Sequence, residues 1–492
     1  MSWKVGHDRC LAALATLLLL ALRQCMPPAL VPLRQLVSAP ARRSAAASLR
    51  CSFVVSPRRR HFGQLTATAM PAGVETSADS VNGGPPLKSR RILETDTPCI
   101  VNMQRMLRGK TGLTSLAQGI VHWSPPMAAL EAATDTSSIL AASSYGADDG
   151  DPDLRAALQR KLASRNGLEG SSVMVTAGAN QAFTNLVLTL CDAGDAAVLF
   201  APYYFNHLMA LQMSSVEPLI GPVTSATMLP DVAWLKAQFQ SKKSLKMVVV
   251  CNPCNPTGAL APRQLLEELS ALCLANNCWL VVDNTYEDFI FDTPPLSSAR
   301  APEQSEGHVC VAGDHVVNVF SFSKAYGMMG WRVGYLAYTD NGSLGDELLK
   351  AQDTIAICPP RLSQRVALAA LTEGGPAWVA EKVESSIIAN RAAVAEAIAS
   401  ALGESAILGT PQGAIYLMVR LPGLDGKEAD DGAAVEFLAE KHGVVVIPGG
   451  ACGAPGCVRV AFGNLEPEAC QKAAKKLQTG LAALREKPLV AP

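Results

Sequence analysis

The sequence predicts an α/β protein: a mostly parallel sheet flanked by helices in a large domain, with a smaller α+β domain after it. Three observations carry this. Over most of the chain short apolar runs alternate with longer helix-like stretches, the pattern of a parallel sheet covered by helices. The runs Val173–Thr176, Ala197–Phe200, Met247–Cys251, Trp279–Val282 and Val316–Phe320 each lead straight into a polar or glycine-bearing cluster. After about Asp353 the texture changes to long amphipathic stretches, such as Ala377 to Leu402, with short strands at Ala414–Val419, Val444–Ile447 and Val458–Ala461.

Taken in order, the first element is a leader. From Leu11 to Met70 there is no Asp or Glu, while arginines from Arg23 to Arg60 are interspersed with Ser and Ala, a transit-peptide composition. The apolar run Leu11 to Leu22 is too short to span a bilayer, but with Lys4 and Arg9 ahead of it the stretch also resembles a secretory signal core. A two-part leader fits both features. The expected destination is a plastid; a mitochondrion, or a cytosolic form begun at Met70, are the alternatives. Residues 71–90, with Asn82-Gly-Gly-Pro-Pro86, read as a polar linker. The expected organisation is therefore leader and linker over 1–90, an N-terminal arm with a small-domain segment over 91–125, a large domain over 126–354, and a C-terminal small domain over 355–487.

In the large domain Val333–Tyr338 is a sixth strand candidate. Ligands of open α/β sheets bind just outside the carboxyl ends of the strands, so the clusters after the first five runs should converge on one crevice. A length of 492 residues allows two or three structural parts, and 49% hydrophobic with 17% charged residues is an ordinary globular composition. Forty-two basic residues against 43 acidic ones leave a net charge of -1. Such a balance offers no field for nucleic acid or an anionic membrane, so the expected partners are small molecules or another copy of the chain. The 14 cysteines are scattered and read as free thiols in a reducing compartment. Cys251 and Cys254 form a C-x-x-C, but no second C-x-x-C accompanies it, and no metal is expected.

The sharpest motif is Ser321-Phe-Ser-Lys-Ala-Tyr-Gly-Met-Met-Gly-Trp-Arg-Val-Gly-Tyr335, which follows a buried-type strand and places Arg332 eight residues after Lys324. With Asp283 at the end of Cys278-Trp-Leu-Val-Val-Asp283, and with Asn252-Pro-Cys-Asn-Pro-Thr-Gly258, it resembles the fold-type I, class I/II aminotransferases, which depend on pyridoxal 5'-phosphate. The likeness runs from about Leu116 to Phe462. It implies that Lys324 is the catalytic lysine, carrying the cofactor as a Schiff base, and that Arg332 grips its phosphate. The chemistry agrees: an amine attacks an aldehyde only when neutral, so burial and neighbouring cations must lower its pKa, and a planar guanidinium suits a phosphate.

By the same resemblance Asp283 pairs with the ring nitrogen, Tyr286 and Asn255 with the ring oxygen O3', and Tyr204 lies on the pyridine face. Ala179 and Asn180, in Val175-Thr-Ala-Gly-Ala-Asn-Gln-Ala182, present backbone amides to the phosphate together with Ser321, as a helix start favours anions. Asp283 could instead cap a following helix, and Tyr204 could be a core aromatic. Tyr145 resembles a tyrosine that reaches the phosphate of a neighbouring subunit, which implies a homodimer. Arg459, in Val458-Arg-Val-Ala-Phe462, matches the arginine that binds the substrate carboxylate. Gly119 and Trp123, in Ala117-Gln-Gly-Ile-Val-His-Trp123, match a segment that closes over substrate, Trp123 supplying bulk near the side-chain pocket. His122 reads as a lining or structural residue. At finer grain several segments are most similar to plant aromatic-amino-acid and methionine aminotransferases, a group associated with control of auxin and ethylene. The expected donors are aromatic amino acids and methionine, and the expected acceptors 2-oxo acids such as phenylpyruvate and indolepyruvate. A pyridoxal-phosphate lyase of the aminocyclopropane-carboxylate synthase or C–S lyase kind would use the same cofactor residues. A non-catalytic regulator domain would as well, but residues 1–90 show no helix-turn-helix pattern ahead of it.

Overall fold

The strands form three sheets, of seven, three and two strands, in the computed structural model, which describes residues 87–241, 244–291 and 310–490. The leader and most of the linker lie outside the described residues. In chain order the strands are β1 Thr114–Ser115, β2 Ser172–Thr176, β3 Ala196–Phe200, β4 Glu217–Gly221, β5 Leu245–Cys251, β6 Trp279–Asp283, β7 Val316–Ser321, β8 Gly334–Tyr338, β9 Tyr416–Arg420, β10 Val444–Val445, β11 Ile447–Pro448 and β12 Cys457–Ala461.

Seven of them make one sheet in the order β2-β8-β7-β6-β5-β3-β4. Neighbours from β7 through β4 pair in parallel, while β8 is antiparallel to both β2 and β7. These strands, the edge strand β4 aside, are apolar and buried along most of their length, as expected of a sheet covered on both faces. β2, β3, β5, β6 and β7 therefore end on the same edge. Because β8 runs the other way, its amino end reaches that edge too, and this brings Arg332, two residues before β8, beside the strand termini. The strand β4 was not expected from the sequence. Pro218 lies within it, and proline argues against a central strand; the structure places β4 at the sheet edge, where a missing N–H is tolerated.

The second sheet is β11-β12-β9, antiparallel throughout. The run expected as one strand over Val444–Ile447 divides its pairing: β10 pairs in parallel with β1 of the N-terminal arm, and β11 pairs with β12. The stretch Ala377–Leu402 lies within a run of helix from Gly375 to Leu402 that includes a wider turn at Val383–Ile387. Among the described residues no helix is long and apolar enough to cross a membrane.

Candidate active site

The carboxyl edge of the large sheet borders a cavity of about 310 Å3. It is lined by Lys324, Ala179, Asn180, Tyr204, Asn255, Asp283, Tyr286, Ser321, Arg332, Gly119 and Arg459. Residues spread over 340 positions of sequence are thus brought together because each follows, precedes or faces the end of a strand.

Asp283 is the last residue of β6 and only 4% exposed. Its Oδ1 accepts hydrogen bonds from the Thr285 amide at 3.0 Å and the Thr285 hydroxyl at 2.6 Å. Its Oδ2 lies 3.1 Å from Nε2 of His207. Burial pushes the carboxyl up, but His207 and Thr285 outweigh it and hold it below its ordinary value, so Asp283 is an anion at neutral pH. The bond to Thr285 closes a local turn rather than capping a helix, since turn residues follow β6. His207 is a site residue that the sequence reading missed. It follows Tyr204 by three positions at the start of the helix Phe205–Met213, a spacing that puts both side chains on one face, with ring centroids 5.2 Å apart.

Lys324 is half-buried in the loop after β7, and its Nζ donates to the carbonyl of Gly119. Burial, then the positive charges of Arg332 and Arg459, bring its pKa down from 10.5 to about 8. This is the shift a Schiff-base lysine needs. Trp123 does not line the cavity, contrary to the expectation that it adds bulk near the side-chain pocket. Its Nε1 donates to the carbonyl of Ala325 at 3.2 Å, and its ring lies nearly parallel to Phe289, so it buttresses the lysine loop from behind. His122 lies beside it, with Nδ1 3.2 Å from Glu466, outside the cavity lining.

The turn between β2 and the helix Ala179–Leu190 forms an anion cradle. As the first residues of that helix, Ala179 and Asn180 have N–H groups without intrahelical acceptors. Gly178, with φ 87°, leaves room for the Arg332 guanidinium, which a Cβ there would strike. Arg332 donates to the carbonyls of Met329 at 2.9 Å and Ala177 at 3.3 Å, which keeps it against the helix start. The Ser321 hydroxyl accepts from the Ser323 amide at 3.1 Å. Tyr204 accepts from Nδ2 of Asn206 at 2.9 Å and donates to Oδ1 of Asn180 at 3.4 Å.

The opposite wall comes from β9, β12 and the arm. Arg459 on β12 is 2% exposed. Nη1 donates to Oδ1 of Asn255 and Nη2 to the carbonyl of Ala117, both at 2.9 Å. Its buried Nε has no protein hydrogen-bond partner. An orphaned donor of this kind fits a carboxylate ligand, because a buried unpaired N–H is costly. Tyr416, also unanticipated, presents its hydroxyl 2.5 Å from that of Tyr286. Tyr145 stands apart: it is 78% exposed and does not reach this cavity in a single chain.

Together these groups fit pyridoxal phosphate: amides and a guanidinium for the phosphate, an anionic carboxylate for the ring nitrogen, an aromatic face, and a lysine of lowered pKa. Comparison with known proteins agrees. The family model for aminotransferases of class I and II matches residues 111–477. The chain is 48% identical over 399 residues to an aromatic aminotransferase of Arabidopsis thaliana, covering 80% of this chain and 96% of that protein. It is 28% identical over 331 residues to a bifunctional aspartate aminotransferase and glutamate/aspartate-prephenate aminotransferase of Petunia hybrida, covering 65% and 66%. Aspartate aminotransferase from Thermus thermophilus with maleate superposes with a TM-score of 0.69 at 25% identity, covering 81% of this chain and all of the other. An aromatic aminotransferase from Pyrococcus horikoshii shares the fold, with a TM-score of 0.65 at 24% identity over 78% and 99% of the two chains. Site and comparisons converge, and the chain belongs to the class I and II aminotransferases, enzymes that depend on pyridoxal phosphate.

Proposed function

We propose that this aminotransferase moves the amino group between an aromatic amino acid, or methionine, and a 2-oxo acid, with phenylpyruvate and indolepyruvate among the acceptors. One observation carries the preference. Among the described residues lining the cavity the arginines are Arg332 and Arg459. The first belongs with the phosphate and the second with the substrate α-carboxylate, which leaves no guanidinium among this chain's described lining residues for a side-chain carboxylate. Ile100, Ile120, Phe205 and the ring of Tyr416 offer apolar wall instead. The 48% identity to an aromatic aminotransferase supports the same reading.

Bound pyridoxal phosphate supplies a ring that withdraws electrons from the substrate α-carbon. Asp283 would keep a proton on the ring nitrogen, Tyr286 and Asn255 would hold the ring oxygen, and Tyr204 would lie against the ring face. Arg459 orients the substrate by its carboxylate. Lys324, with a pKa near 8, is neutral often enough at neutral pH to take the α-proton. A homodimer is the working assembly in this reading, with Tyr145 reaching across a twofold interface. The arginine-rich leader is read as a plastid import signal; a fusion of residues 1–90 to a fluorescent protein that stayed cytosolic would refute that part.

The test is a set of single half-reactions on purified residues 71–492 without added keto acid, following the visible absorbance of the lysine-bound cofactor. Phenylalanine, tryptophan and methionine are expected to deplete it durably and with higher kcat/KM than aspartate. A preference for aspartate overturns the substrate assignment. Absorbance that returns unaided as product accumulates overturns transamination in favour of a lyase.

A further inference from the structure

Three parts of the site meet on Tyr416, in the middle of what the sequence presents as an ordinary apolar strand. Its hydroxyl lies 2.5 Å from that of Tyr286. The guanidinium carbon of Arg459 stands 4.3 Å from its ring centroid. A Cβ on Gly119 would collide with its hydroxyl, so the arm can pass this close only as glycine, and the carbonyl of that glycine accepts from Lys324.

Both phenols are buried, and burial pushes both up from their ordinary values, so each keeps its proton and the short contact needs one donor and one acceptor. A Tyr286 that donates to the cofactor's ring oxygen has only lone pairs left for its neighbour. Tyr416 is then the donor. Donation into a hydroxyl polarises it and strengthens the hydrogen bond it makes in turn. The ring has a separate effect: a face held against a desolvated guanidinium attracts it and restricts its tilt.

We propose that Tyr416 is a positioning residue with two separable actions, its hydroxyl strengthening Tyr286 as a donor to the ring oxygen of pyridoxal phosphate and its ring holding Arg459 in place for the substrate carboxylate. The inference rests on Tyr286 facing the ring oxygen and is independent of which amino acid is preferred.

The experiment compares wild-type, Y416F, Y416L and Y286F holoenzymes by two readouts. The first is the pH midpoint of the visible absorbance change of the lysine-bound cofactor. The second is the Kd of carboxylate inhibitors, measured with both 3-phenylpropionate and succinate so that side-chain preference does not decide the outcome. Hydrogen bonds to the ring oxygen favour its deprotonated form. Weakening them raises the midpoint, by roughly half a pH unit in Y416F and by more in Y286F. Y416F keeps the ring and is expected to hold the inhibitor Kd within about twofold, whereas Y416L weakens binding up to about tenfold. Y416M replaces Y416L if the latter melts below wild type. A wild-type midpoint in Y416F, with a raised one in Y286F, overturns the role of the hydroxyl; unchanged midpoints in both overturn the placement of Tyr286 as well. Unchanged inhibitor affinity without the aromatic ring overturns the role in holding Arg459.

Discussion

On the cofactor side of the cavity Asp283, Ser321 and Gly178 lie within two residues of the ends of β6, β7 and β2, and the buried carboxylate of Asp283 is met by Thr285 and His207. On the substrate side Arg459 projects from the small sheet over the rings of Tyr416 and Phe205, and its Nε is left without a protein partner. The contrast follows from residence time. A group held through the whole cycle is best served by dipoles already fixed in place. A ligand that comes and goes gains affinity from a donor left unsatisfied, whose desolvation cost of about 1–3 kcal/mol is recovered on binding.

The comparison breaks most sharply at Lys324. K324M is expected to abolish turnover, since no other group replaces the proton carrier. It also tests the lowered pKa directly. A lysine whose folded pKa is about 8 against an ordinary 10.5 penalises the folded state wherever the unfolded chain is protonated. The penalty is full below pH 8 and fades as pH rises to 10.5. Cofactor-free K324M should therefore be more stable than cofactor-free wild type at pH 7, by up to about 3 kcal/mol, with the gap closing between pH 8 and 10.5. Denaturation of both at pH 7 and 10.5 checks this, and a gap independent of pH would count against a strained lysine.

The two halves separate next in D283N and R459K. Loss of the anion at the ring nitrogen is expected to lower kcat by about a hundredfold or more, with little change in KM. Replacing the fork by a point charge should act chiefly on KM, costing roughly tenfold to a hundredfold in kcat/KM. Steady-state kinetics on one donor decides; equal splits in the two variants would erase the distinction. The smallest effect sharpens the reassignment of Trp123. As a buttress behind the lysine loop, W123F should lower the melting temperature while leaving the ratio of kcat/KM for phenylalanine and methionine within about twofold. A shift of that ratio by tenfold would return Trp123 to the substrate pocket.

The cofactor half was legible because its signals are local. An apolar run ending in Asp283, a glycine turn before Ala179 and a lysine eight residues from Arg332 are each contained in a few positions, and the period-2 or fully buried pattern of the preceding strand says where the turn will be. His207 had a weaker signal, its spacing from Tyr204, which alone does not tell a core histidine from a site residue. Trp123 was misplaced for the converse reason: nearness in sequence to Gly119 does not say which way a ring faces. β4 was not expected either: Pro218 speaks against a central strand, and only the strand order shows that the position is an edge.

Within residues 172–338 the sequence by itself determined the strands other than β4, the turns that follow them and the chemical types at their ends, since backbone propensity and burial act over a handful of residues. Which groups meet was decided by the tertiary structure. Tyr286 and Tyr416 are 130 positions apart, and Arg459 finds Ala117 across 342; no local pattern encodes a contact closed by packing one sheet against the edge of another, because that contact is the sum of every turn and register between them.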